Sequence, residues 1–243
     1  VTEEWSVATL SGPNAGKILK AAGVDISLEP ADFPFMTMRE AHIAGLPVRI
    51  FRISFTGELS YEINIRARHG LALWTHLMKA GAEFGITPYG TEAMHVLRAE
   101  KGFIIVGQET DGSVTPQDLG MDWIVSKVKP DYIGKRALER ASMAADNRKQ
   151  LVGLRTKERK QVIPEGAHAV LDPNQPMPMD MLGQVTSSYY SPNVGSSIAM
   201  AMLKGGRALM GGTVYLPMLD GSVIEAEVVE PIFYDPKGER LNG

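Results

Sequence analysis

The chain of 243 residues contains no cysteine. Disulfides, thiolate metal sites and cysteine nucleophiles are therefore excluded. Aromatic residues are sparse at 7%, and no apolar run approaches the roughly 18 residues that a membrane-spanning helix needs. No signal-peptide pattern is read at the amino terminus, and no membrane partner is expected. Long basic runs are missing too. The 25 Lys and Arg residues are dispersed among 28 Asp and Glu, a net charge of −3, so nucleic acid is not an expected partner. A small anionic ligand would have to find local cations. The lack of cysteine is compatible with the cytoplasm, which is the expected location.

What is present is an ordinary globular composition, 44% hydrophobic and 22% charged, enough for one large domain or two moderate ones. The stretch that organises the rest is FTGELSYEI at 55–63. It reads as the end of one strand, a tight reversal and a second strand. Arg49, Phe51, Ile53 and Phe55 alternate along the first strand. Tyr61, Ile63 and Ile65 share one face of the second, with Glu62 and Asn64 on the other. Thr56-Gly57-Glu58 supplies the turn, with Gly57 free to take positive φ. Two carboxylates, Glu58 and Glu62, thereby lie near one backbone reversal.

Before that hairpin the pattern predicts a strand over 5–10, a helix from Pro13 to about Ala22 and a strand over 36–44, with a turn at 45–47. After it come a helix over 70–84, with Leu71, Trp74, Leu77 and Met78 at helical spacing, and a helix over 90–101. On the latter, Ala93, Met94, Val96 and Leu97 form the expected apolar stripe and Glu92, His95 and Arg98 the polar side. A further helix is expected from 131 to about 143. The order βαβββα predicts an α+β fold with a ferredoxin-like layer domain. Beyond the polar run at 144–149 the pattern changes to short strands at 150–154, 168–171, 182–190, 197–202, 213–216 and 223–229. Gly, Pro, Asp and Asn turns separate them, which predicts a small antiparallel β-barrel. The expected domains are 1–147 and 148–243.

Several site types are weighed and set aside. Glu92-x-x-His95 has half the spacing of a carboxylate-bridged di-iron site, but no second copy exists, so no metal is expected. Gly195-Ser196-Ser197 lacks a hydrolase elbow, and the glycines of 205–212 lack both a P-loop lysine and dinucleotide spacing. His42, His69, His76 and His168 are scattered.

FTGELSYEI resembles the YTGE-x-GYEI signature of the glycine-cleavage T-protein (aminomethyltransferase) family. The segment through Arg98, Glu100, Gly102 and Gly107-Gln108-Glu109 resembles that family's RLEAG…YGQD stretch. The 5–19 segment is similar to LLALQGP-x-A-x-x-L, and GQVTSSYYSPNVGSSIA at 183–199 is similar to the family's GEVTSGTFSP…IA barrel segment. Within the family, GQETDGSVTPQDLG, DYIGKRAL and FYDPKGERL look like the carboxy-terminal domain of heterotetrameric sarcosine oxidase alpha subunits. The resemblance covers essentially the whole chain.

The resemblance implies that the cofactor is tetrahydrofolate. Glu62 would accept the two neighbouring N–H donors of the pterin, as a carboxylate accepts a guanidinium. Arg98 would help position the folate, and Phe55, standing where the family has a folate-contacting tyrosine, would supply an aromatic wall without the hydroxyl. Val106 likewise replaces a tyrosine. The reaction implied passes the one-carbon unit of oxidised sarcosine, an iminium, to tetrahydrofolate, giving 5,10-methylenetetrahydrofolate and glycine. Flavins and NAD are expected on other parts of the complex, and the implied partners are the other sarcosine oxidase subunits or domains. The chain begins at Val1 and enters a strand almost at once, so it is expected to be a piece of something longer. The family's domain normally starts about a hundred residues earlier, by usual domain length. The family's catalytic aspartate would lie in that earlier part, leaving no catalytic residue to name here. An alternative within the resemblance is a non-catalytic folate-binding or interaction module, related to iron–sulfur cluster maintenance proteins with a KGCY-x-GQE segment. Lys101-Gly102-Phe103 begins that way but lacks the cysteine.

Overall fold

Alternating burial builds the first of the protein's two sheets, and the computed structural model describes residues 2–145 and 147–242. Contacts divide it into two compact units, Val1–Arg98 with Asp235–Gly243, and Ala99–Tyr234.

The first unit contains β1 (Trp5–Ser11), α1 (Ala15–Ala21), β2 (Thr37–Ile43), β3 (Leu46–Arg52), β4 (Ser60–Arg66) and α2 (Gly70–Gly81), which tightens into a 3₁₀ turn at Ala82–Phe84. The helix α3 (Thr91–Glu100) begins in this unit. The four strands form an antiparallel sheet in the order β1-β4-β3-β2. On β4, Tyr61, Ile63 and Ile65 are buried, and they pack with Leu10, Val48 and Ile50 of the neighbouring strands. Ile18 and Leu19 of α1 and Leu73 and Leu77 of α2 close this core, each such side chain contributing about 1.5–3 kcal/mol on burial. The opposite face carries Thr9, Glu62, Asn64, Arg49 and Glu40, none fully buried. Arg49 and Arg66 stack on Trp5 there, their guanidinium carbons 4.9 and 4.6 Å from the ring centre.

In the first unit the structure corrects the expected elements at four points. The β2–β3 hairpin turns at Ala44-Gly45, both with positive φ, as a two-residue loop between Ile43 and Leu46 requires. The strand expected to run to Phe55 stops at Arg52; Ser54 Oγ instead accepts from the Gly57 N–H, 55–59 turn as a series of bends, and Phe55 leaves the alternation. On α2, Leu71 and Trp74 are exposed at 79% and 48%, because Leu73 and Leu77 take the inward positions. On α3 the expected polar side is reversed at its end: Arg98, Ala99 and Glu100 are the buried residues, while Ala93 is exposed.

The second unit is built on six antiparallel strands: β5 (Lys149–Thr156), β6 (His168–Ala169), β7 (Gly183–Ser191), β8 (Ser196–Lys204), β9 (Thr213–Pro217) and β10 (Val223–Val229), in the order β6-β7-β8-β5-β10-β9. The two ends of the sheet meet through one antiparallel bridge, Val170 with Tyr215, which makes the unit barrel-like. One face of β8 packs Ala199, Ala201 and Leu203 into the interior, and the other packs Ile198, Met200 and Met202 under the 99–119 segment. The helix expected over 131–143 is reduced to α4 (Lys135–Leu138), entered through Gly134 at φ 95°. It opens with the charged Lys135 and Arg136 and none of its residues is buried, so no core face extends it.

Candidate functional site

The hairpin of the first unit places two carboxylates in different situations. Glu58, in the bend before β4, is taken up by Arg240, whose Nε donates to its Oε1. Glu62 lies in mid-strand on the face away from the core, half-buried. Its Oε1 accepts from Asn64 Nδ2 at 3.2 Å, and no cation pairs with it among the described residues. Its cross-strand neighbours are Thr9 on β1 and Phe51 on β3. A half-buried carboxylate with spare acceptor positions and no counter-charge is poised for a ligand that offers paired N–H donors.

Thr9 also lines a cavity of about 490 Å³ beside the edge strand β1. Its other walls include Trp74, Met78, Phe84, Tyr89 and Met94, an aromatic and thioether lining of the kind that accommodates flat organic ligands. Burial pushes the Tyr89 hydroxyl's pKa up, with a hydrogen bond to Ser11 acting in the opposite direction. The Ser11 hydroxyl is also 2.9 Å from that of Thr56, so the cavity rim and the hairpin turn share a hydrogen-bonded joint. The sequence pattern had assigned Trp74 and Met94 to helix cores and passed over Thr9. The one available signal was register, since Thr9 can stand opposite Glu62 only once β1 and β4 pair.

The other expected residues fall as follows. Phe55 is 38% exposed and belongs to the same hairpin as Glu62. Arg98 comes from α3 and is fully buried, so it presents no surface to an arriving ligand unless its surroundings move. Val106 is 86% exposed. No group of three or more His, Asp and Glu side chains gathers to hold a metal among the described residues. No helix there is long and apolar enough to cross a membrane.

With that geometry in hand, the class is defined by comparison. The model of the GCVT N-terminal domain matches residues 1–129, and that of the glycine cleavage T-protein C-terminal barrel domain matches 149–235. The chain belongs to the glycine cleavage T-protein family. Among particular relatives, it is 43% identical over 250 residues to a sarcosine oxidase subunit alpha from Corynebacterium sp. (strain P-1), covering 100% of this chain and 25% of that protein. It is 31% identical over 230 residues to an aminomethyltransferase of Halothermothrix orenii, covering 94% of this chain and 61% of the relative. The crystal structure of glycine cleavage system aminomethyltransferase T from Bartonella henselae superposes with a TM-score of 0.79 at 25% identity, over 95% of this chain and 60% of that one. The chain thus spans only a quarter of the length of its sarcosine oxidase relatives.

Proposed function

We propose that this chain binds tetrahydrofolate and serves as the one-carbon acceptor domain of a sarcosine-oxidase-like enzyme. The observation that carries this reading is Glu62: a half-buried carboxylate with no cationic partner among the described residues, standing across from Thr9, which lines a cavity with aromatic walls. The residues fit the cofactor chemically. A pterin presents an amino group and a ring N–H side by side, and Glu62 has the acceptor capacity for both. Phe55 would pack on the ligand from the same hairpin, and Arg98, buried at the end of α3, would help position it once the surrounding segment opens.

When bound, tetrahydrofolate supplies the acceptor for the one-carbon unit of an oxidised secondary amine, giving 5,10-methylenetetrahydrofolate and, from sarcosine, glycine. The protein's part is to hold the pterin edge and fix its orientation, which raises effective concentration. The names of the relatives favour sarcosine as the amine, with flavin and NAD carried elsewhere in the enzyme and other subunits as partners. A cytoplasmic location and a division into a folate-binding domain at 1–147 and a β-barrel domain at 148–243 go with the same proposal. The test is calorimetric titration of the intact protein with 5-formyltetrahydrofolate. Saturable binding that Phe55→Ala weakens supports the reading, and no binding at any concentration refutes it.

A further inference from the structure

On the helical side of the first unit's sheet, opposite Glu62, a second cavity of about 240 Å³ lies between α1 and the start of β4. One of its walls is Arg52, only 2% exposed. Arg52 Nη1 donates to the Phe33 carbonyl at 2.7 Å, but its Nε has no hydrogen-bond partner. No Asp or Glu pairs with it among the described residues. An arginine stays charged in any protein, and burying its charge without an anion is costly. The cavity's other wall is Tyr61, also 2% exposed, whose hydroxyl lies 3.7 Å from the position a Cβ would take on Gly16. That hydroxyl has no hydrogen-bond partner among the described residues, although a buried tyrosine ordinarily finds one. Lys17 and Lys20 of α1 stand at the rim. The one acid there, Glu29, is mostly exposed and engaged by Lys20 at 3.1 Å.

We infer that this cavity is a binding site for a small oxyanion, a phosphate or carboxylate group, held by Arg52 and the Tyr61 hydroxyl and attracted by Lys17 and Lys20. Three cations surround the space against a single carboxylate, so the local field favours an anion. The guanidinium offers the forked donor geometry that both groups accept. Because Tyr61 and Glu62 point to opposite faces of β4, the site is separate from the one proposed for folate.

The experiment is thermal unfolding and calorimetry of the intact protein with sodium phosphate and, separately, sodium acetate, each against sodium chloride at equal ionic strength. Saturable stabilisation by phosphate alone assigns a phosphate ligand, and by acetate alone a carboxylate. The Lys17→Ala/Lys20→Ala double variant, altered only at exposed positions, should bind the active anion at least tenfold more weakly, as should Tyr61→Phe. Glu29→Gln should bind it more tightly, and Glu62→Ala should bind it unchanged. Stabilisation that never saturates, that chloride reproduces, or that survives both cavity variants overturns the assignment. Loss of folate binding in Glu62→Ala bears only on the other site.

Discussion

The two sheets use carboxylates in opposite ways. In the second unit Glu100 is 2% exposed and fully engaged: Ser191 Oγ donates to one oxygen at 2.6 Å and Asn193 Nδ2 to the other at 2.9 Å. Glu109 is 1% exposed and accepts from the Ile105 N–H at 2.7 Å and from the Ser187 hydroxyl. These groups tie the 99–119 segment to a sheet whose β8 is buried on both faces. In the first unit Glu62 lies on a sheet covered by helices on one face, and among the described residues only Asn64 hydrogen-bonds to its side chain. A carboxylate whose acceptor positions are filled by the protein holds the fold together. One left with spare positions on a half-open face is available for a ligand, at little cost to the fold.

The comparison can be broken most easily in the doubly covered sheet. A Cβ on Gly183 would stand 1.9 Å from the Met202 carbonyl oxygen. Gly183→Ala should therefore force β7 and β8 apart and cost about 4 kcal/mol or more, read by urea unfolding. A loss below about 1 kcal/mol would mean that these strands separate freely. Glu100→Ala comes next. It orphans the buried Ser191 hydroxyl and removes the acceptor of the Asn193 amide, and should cost about 3 kcal/mol in the same assay, with no specific effect on ligand binding.

A smaller effect is expected at Asp118, which is 4% exposed. Burial raises its pKa, but hydrogen bonds from Arg148 and Thr115, with the charge of Arg148, outweigh burial and hold it below the ordinary carboxylate range. Its folded pKa is thus lower than its unfolded one. The stability it contributes is complete above the unfolded value of about 4 and is lost as the pH falls through the folded value. Asp118→Asn should cost about 2 kcal/mol at neutral pH and flatten the acid limb of the stability profile. An unchanged acid limb would remove Asp118 from the account. The smallest effect on stability is predicted at Glu62: Glu62→Ala should stay within about 0.5 kcal/mol of the parent.

Much of this arrangement was legible from residue patterns. The six strands after Lys149 could be located because Gly, Pro, Asp and Asn turns punctuate them, and the outward direction of Glu62 followed from alternation with Tyr61 and Ile63. The misreadings have a shared cause. Ile53 and Phe55 continue an apolar alternation, yet the Ser54 hydroxyl captures a backbone N–H and ends the strand at Arg52. Arg98 is expected on the polar side of its helix, yet it is buried, as is Glu100, which finds its partners about 90 residues away in the chain. Pattern shows that a charged residue is present but not which distant donors will meet it. The same limit hid the pairing of Glu58 with Arg240, which distinguishes the engaged glutamate of the hairpin from the available one.

The most direct test of the central claim is calorimetric titration of 5-formyltetrahydrofolate into the intact protein and its Glu62→Ala variant. The account predicts that the variant folds as well as the parent and binds more weakly by about 2–3 kcal/mol, the scale of hydrogen bonds to a charged group. Equal affinity in the two proteins would contradict it.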